Sequence, residues 1–298
     1  GQLAFHWRAI AKEVDQGRLL RDVLRDGLGI SSRMLYDLKY SGSIKLNGVG
    51  VTVRERVSAG DVIELYLAET ATDRIEPEEI PLAVIYEDDD LLIVNKPPGM
   101  IVHPVPPEPN GTLANAIAWY WAKEGITRAV RIITRLDRDT SGLVLVAKHA
   151  LAQHLYATRP EMIDKYYLAL VEGAPREATG LIDAPIAVNP ANPVTRMVAA
   201  AGRPAQTAYR VLQSGDTSLV QARLLTGRTH QIRVHLAWLG HPVVGDEQYG
   251  QSSPSISRQA LHCYALRLVQ LRTRQELCLL APLPEDMQQA LTICSHNA

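Results

Sequence analysis

The chain has 298 residues, 46% of them hydrophobic, with 31 Lys and Arg against 32 Asp and Glu and a formal net charge of −1. At ~100–200 residues per domain this length suggests about two domains, and the composition excludes wholesale disorder and collagen-like structure. No apolar run approaches the ~18 residues of a membrane span, and the neutral total argues against a strongly basic nucleic-acid binder. The three cysteines, Cys263, Cys278 and Cys294, are odd in number and far apart. They fit neither a disulfide framework nor a zinc-ligand pattern, which points to a reducing compartment. The first residues, with Arg8, Lys12, Glu13 and Asp15, lack a signal-peptide apolar core, so a cytoplasmic protein is expected.

The total charge hides a distribution. Residues 1–66 carry 10 cations and 8 anions, residues 67–90 carry 1 and 9, and residues 91–298 carry 20 and 15. Two mildly basic modules, net +2 and net +5, are separated by an acidic stretch of net −8. Its Glu-Pro and Ile-Pro steps read as a linker over 68–80.

Residues 18–26 place Leu19, Leu20, Val23 and Leu24 at helical spacing. Ser31 or Ser32 caps a second helix over 33–40, which Gly42 terminates. Residues 44–48 are a strand entering an Asn-Gly turn, and 51–53 and 62–67 read as further strands. The helices carry Arg18, Arg21, Arg25, Arg33 and Lys39, interleaved with Asp22, Asp26 and Asp37. On charge alone this is a solvated surface. The order of elements over 17–67 resembles the small RNA-binding domain first recognised in ribosomal protein S-four. That resemblance implies phosphate contacts from Arg33 and Lys39, which give affinity and register but little sequence choice.

From residue 80 the pattern is strand-rich. Residues 82–86 and 91–95 flank an Asp-rich turn. Thr112 caps a helix over 113–123. Strands fit 130–133, 143–147, 166–171, 208–212 and 219–225, and helices fit 150–158, 229–239 and 285–291. The fold class is α+β: a small ααβ-type unit over 1–67, then over 81–298 a second domain with a mainly antiparallel mixed sheet.

Between two apolar strands lies Thr134-Arg135-Leu136-Asp137-Arg138-Asp139-Thr140-Ser141-Gly142. A polar loop on a rigid scaffold is a usual place for catalytic groups. For an arbitrary sequence, weakly paired surface charges are the better reading. Its Arg-Leu-Asp-Arg-Asp-Thr-Ser-Gly run resembles the signature loop of the RluA/RluD family of pseudouridine synthases. Further blocks resemble that family in order: Asn95-Lys96-Pro97-Pro98-Gly99 with His103-Pro104; Lys165-Tyr166-Tyr167-Leu168-Ala169; Pro204-Ala205-Gln206-Thr207-Ala208-Tyr209; Thr226-Gly227-Arg228-Thr229-His230-Gln231-Ile232-Arg233-Val234-His235; and Gly240-His241-Pro242-Val243-Val244-Gly245-Asp246.

The resemblance implies isomerisation of uridine to pseudouridine in structured RNA, ribosomal RNA favoured over transfer RNA, by a monomer with no cofactor, metal or membrane partner. It assigns the catalytic carboxylate to Asp137 and its paired guanidinium to Arg233. Tyr167 lies against the uracil, with a hydroxyl within reach of a base proton. Arg135 enters the RNA stack where the base leaves, a role that a planar, multiply donating guanidinium suits. Lys96 and Arg228 are further RNA-binding candidates, as weaker ones are His103, His230 and His235. Alternation along a strand lets only one of Tyr166 and Tyr167 face the pocket. His230 and His235, five residues apart on a helix, do not make a metal pair.

One departure stands out: Thr134 occupies the place where the family usually has His. Either Thr134 positions the loop, or the substrate differs. Two rivals remain. One is a non-catalytic RNA-binding or ribosome-assembly protein with the same fold. The other is a metal-dependent nuclease using Asp88, Asp89, Asp90, Asp137 and Asp139.

Overall fold

The computed structural model describes residues 3–40, 43–68 and 75–296. Gly42 and residues 69–74 of the acidic stretch lie outside them. The N-terminal unit contains β1 (Leu3–Ile10), α1 (Leu20–Leu28), α2 (Ser32–Tyr40), β2 (Ser43–Leu46), β3 (Val49–Gly50) and β4 (Val62–Ala68). Its four strands form one sheet in the order β1-β4-β2-β3. Asn47 and Gly48 both have positive φ, 52° and 80°, as the tight β2–β3 turn requires.

Two details differ from expectation. β1 was not anticipated; it pairs antiparallel with β4 along its whole length. Residues 51–53 are not a strand. Their chain leaves the sheet because the N-terminus of α1 needs acceptors: Arg21 N–H donates to Val53 O at 3.0 Å and Leu20 N–H to Glu55 O at 2.8 Å.

The C-terminal region follows with β5 (Ala83–Glu87), β6 (Leu91–Lys96), α3 (Leu113–Ala122), β7 (Arg131–Ile132), β8 (Ser141–Ala147), α4 (Ala150–Thr158), β9 (Ile163–Glu172) and β10 (Thr179–Asp183). Then come β11 (Ile186–Val188), β12 (Arg196–Val198), β13 (Gln206–Gln213), β14 (Thr217–Leu224), α5 (Gln231–Trp238), β15 (Leu261–Val269), β16 (Glu276–Leu280) and α6 (Glu285–His296). The main sheet runs β10-β13-β14-β9-β15-β8-β6-β5, with β16 added to β15 and β7 to β8. Every pairing is antiparallel except β15 with β8.

That one parallel joint organises the site. β15 sits between β8 and β9, and its register sets Gly142, Cys263 and Tyr167 side by side across three strands. Gly142 closes the Asp137 loop, so the register brings that loop beside Tyr167. β15 escaped the sequence reading because it is central. A strand covered on both faces shows no polar–apolar alternation, and Leu261, His262, Cys263, Leu266 and Leu268 are all buried.

The two regions share one apolar core that runs from Trp7, Leu20 and Leu65 to Leu91–Val94 and Leu143–Ala147. Ser31 N–H donates to His154 Nε2 at 3.2 Å, and the Arg272 guanidinium lies 5.3 Å from the Trp7 ring centroid. Residues 75–80 are not a free tether. Asn115 Nδ2 donates to Glu76 O at 2.8 Å, and the Glu78 carboxylate accepts from Gly111 N–H at 3.0 Å.

Two measurements check this packing. A Cβ at Gly142 would lie 2.2 Å from Cys263 O, at φ 118°. Gly142→Ala is expected to lower the urea midpoint and cost at least about 2 kcal/mol, as overpacking and left-handed strain combine. His262 is buried with Nδ1 2.9 Å from Ser141 Oγ, and burial pushes its imidazole down to about 4. An unfolded histidine titrates near ~6.5. Its contribution to stability is therefore complete above that pH and lost as pH falls toward 4. Unfolding free energy should drop by on the order of 3 kcal/mol over that window through this group. His262→Gln should flatten the profile there.

Candidate active site

The loop between β7 and β8 is held from several sides. Leu136 is buried in the core, and Thr140 N–H donates to Asp137 O at 3.1 Å, closing a turn. Thr134 Oγ1 accepts from Leu145 N–H at 2.9 Å. The residue that departs from the family pattern therefore fixes the loop to β8. Arg258, paired with Asp286, donates to Asp139 O at 2.9 Å.

Lys96 holds the loop from the other side. It is fully buried, and Nζ donates to Pro97 O at 2.7 Å and to Met100 O and Arg138 O at 2.8 Å. Burial pushes its ammonium down to about 7 while Asp139 pulls it up. The three carbonyls engage all three N–H bonds of the protonated form. This corrects the expectation that Lys96 binds RNA: a side chain with no exposed surface cannot reach a phosphate. Its block instead ties β6 to the Asp137 loop.

Arg233 approaches Asp137 from α5. The helix is pinned to β13: Gln231 Nε2 donates to Thr207 Oγ1 at 3.0 Å, and His235 Nδ1 lies 2.9 Å from the same oxygen. His235 Nε2 is 2.9 Å from Ala184 O, so this histidine is structural. Arg233 donates from Nε and Nη2 to the two Asp246 oxygens at 2.6 and 2.8 Å, and from Nη2 to Gln248 Oε1 at 2.7 Å. Nη1 donates to Asp137 Oδ2 at 3.1 Å. Burial disfavours the guanidinium charge, but Asp246 and Asp137 outweigh it and raise its pKa.

Asp137 keeps 27% of its side chain exposed, whereas Arg233 keeps 5%. The carboxylate opens on a cavity of about 590 Å³, within the ~300–1,000 Å³ typical of small-molecule sites. Tyr167, Arg135, Arg228, His103 and His230 line it too, and a smaller cavity of about 60 Å³ adjoins it. Tyr167 is buried and faces this space; Tyr166 does not line it and lies instead under the Arg223 guanidinium. Burial, with the Cys263 thiol beside it, raises the Tyr167 phenol well above its usual value. Burial lowers His230 below its usual value, against the pull of Asp137. His230 Nε2 is 3.9 Å from Asp137 Oδ1, and Nδ1 is 2.7 Å from the Tyr249 hydroxyl.

The structure thus gathers Asp137, Tyr167, Arg135 and Arg228 at both cavities, and Arg233 lines the smaller one. Arg135 is exposed and, among the described residues, has no ion-pair or hydrogen-bond partner for its guanidinium. Arg33 and Lys39 lie outside this cavity, exposed on α2. Asp88–Asp90 also lie outside it. Asp88 Oδ1 closes the β5–β6 turn by accepting from Asp90 and Leu91 N–H, and Asp90 is bound by Arg272 and His149. Sequence reasoning gave no role to Asp246, Gln248 or Tyr249. The first lies in a quoted block, and its charge beside Gly245 was the available signal.

Residues 90–238 match the family model described as RNA pseudouridylate synthase. The chain belongs to the RluA/RluD family of RNA pseudouridine synthases. It is 38% identical over 274 residues to the uncharacterized RNA pseudouridine synthase YjbO of Bacillus subtilis, covering 90% of this chain and 97% of that protein. It is 39% identical over 271 residues to the ribosomal large subunit pseudouridine synthase D of Nitrosomonas europaea, covering 86% and 78%. Among solved structures, human RNA pseudouridylate synthase domain containing 1 superposes with TM-score 0.58 at 27% identity, covering 74% of this chain and 90% of that one. As a member of this family the chain isomerises uridine to pseudouridine in RNA.

Asp246→Asn replaces the anion that neutralises Arg233 inside the synthase. Losing a charge-assisted pair worth roughly 1.5–3 kcal/mol should lower kcat by about 10- to 100-fold. Steady-state kinetics on RNA should show that fall in kcat with little change in KM.

Proposed function

We propose that this synthase modifies specific uridines in structured ribosomal RNA, taking each target base out of the stack into the Asp137 cavity. The observation that carries this reading is a partly exposed carboxylate held by a buried guanidinium at 3.1 Å and facing an aromatic wall. The ribosomal target is supported by the name of the Nitrosomonas relative.

In the reaction the bond between ribose C1′ and base N1 breaks, the uracil turns, and C1′ joins base C5. The C5 proton leaves and N1 gains one, so no atom is gained or lost overall. Asp137 serves either route to this exchange: attack on C1′, or departure of the base with removal of a ribose proton. Arg233 supplies a fixed positive charge beside it, because Asp246 and Gln248 hold the guanidinium in place. His230 stays uncharged near neutrality, since its pKa lies below ~6.5. The Tyr167 phenol stays protonated. It therefore presents a ring face on which a flat base can turn, not a phenolate base. Arg135, exposed at the cavity mouth, fills the gap the base leaves. Arg33 and Lys39 on the N-terminal unit contact RNA phosphates away from the cavity.

Total rRNA and tRNA from a strain lacking the gene should gain pseudouridine at defined rRNA positions when treated with the purified protein. Asp137→Asn should reduce turnover below detection while RNA binding and the unfolding midpoint stay within about twofold and a few degrees of wild type. If the wild-type protein forms no pseudouridine in either RNA, this reading fails.

A further inference from the structure

A second concave surface adjoins the active-site cavity. It has a volume of about 380 Å³ and is lined by β11, by Arg196 of β12, by the turn 201–203 and by Gly227, Arg228 and Thr229. Gly227, Arg228 and Thr229 also line the larger Asp137 cavity, so the two spaces share a wall. Three lining side chains, Arg196, Arg203 and Arg228, are cationic, and none is acidic.

The three guanidiniums are mounted on fixed backbone. Arg203 and Ile186 exchange both backbone hydrogen bonds at 2.9 Å, which locks the 201–203 turn to β11. Arg196 Nη1 donates to Pro193 O at 3.0 Å and to Thr195 O at 2.8 Å. Arg228 Nε donates to Pro204 O at 3.0 Å. The Arg203 side chain is exposed and, among the described residues, has no hydrogen-bond or ion-pair partner. Cations lining one concave surface with no acidic neighbour in its wall favour an anion there. Each guanidinium keeps donors that match phosphate oxygens in pairs.

The hairpin is also joined to the catalytic groups. Arg196 N–H donates to the Tyr249 hydroxyl at 2.8 Å. That hydroxyl is 2.7 Å from His230 Nδ1, and the Tyr249 ring lies 5.0 Å from the Arg233 guanidinium carbon. An anion seated on Arg196 thus lies one shared tyrosine away from the residues around Asp137.

We infer that the groove of Arg196, Arg203 and Arg228 is a phosphodiester site. It holds the backbone of the substrate RNA strand immediately next to the nucleotide in the Asp137 cavity. The inference rests on the reading that RNA enters that cavity. It adds the path of the strand, which runs over the β11–β12 hairpin.

The test measures binding of rRNA from the gene-deleted strain across a salt series, using Asp137→Asn protein so that turnover does not intervene. Each lost phosphate contact lowers the slope of log K against log salt by ~0.7 for single strands and ~0.9 for duplex. Arg203→Ala should lower the slope by about one such step and Arg196→Gln with Arg203→Ala by about two, while Arg203→Lys retains it. In otherwise wild-type protein the same changes should raise KM more than they lower kcat. Unchanged slopes in both alanine-bearing proteins overturn the inference. So does a slope that falls equally in Arg203→Lys, because a lysine keeps the charge. The slopes decide the groove even if wild-type protein forms no pseudouridine, so failure of the proposed reaction is separately visible.

Discussion

A buried guanidinium between two carboxylates sets the terms for this site. Arg233 is almost fully enclosed, and an uncompensated charge there would cost several kcal/mol. Asp246 removes that cost with a two-pronged pair, and Gln248 takes a further donor. Nη1 remains for Asp137. The enclosed pair is electrically balanced, yet it presents a localised positive edge to the cavity. A carboxylate placed against that edge sits beside a charge already fixed in position.

Everything else around Asp137 serves to keep that distance. The loop carrying it is long and polar, and such a segment is ordinarily mobile. Here Thr134 ties its start to β8, Lys96 binds its middle through Arg138 O, and Arg258 binds it through Asp139 O. Ser141 at its end meets His262 on β15. Two of these clamps are buried cations that donate to backbone carbonyls, Arg258 while also paired with Asp286. They hold main-chain atoms, so the loop is fixed at its backbone. Arg135 shows the result: an exposed side chain on an immobilised turn.

The surroundings also separate two kinds of cation. Lys96, Arg233 and Arg258 are buried. Arg135, Arg203, Arg33 and Lys39 are exposed. A net charge near zero is compatible with an RNA substrate because charge is unevenly distributed along the chain, net +2 over 1–66, −8 over 67–90 and +5 over 91–298. Much of the negative charge sits in the stretch between the two regions.

The sequence by itself determined the family, the order of most elements and the main chemical parts. Asp137, Arg233 and Tyr167 were legible because each lies in a run of residues whose local pattern is distinctive, and strand alternation separated Tyr167 from Tyr166. The tertiary structure decided which charges meet. Lys96 and Arg33 look alike as cations in a chain, yet one is enclosed by three carbonyls and the other stands in solvent. Asp246 and Tyr249 became partners of Arg233 only when α5 packed near the turn that follows it. β15 left no alternation to read because both its faces are covered, and its parallel pairing with β8 sets the register that joins Gly142 to Tyr167. Burial and long-range pairing are properties of the packed chain, and a one-dimensional pattern carries them only where one face stays wet.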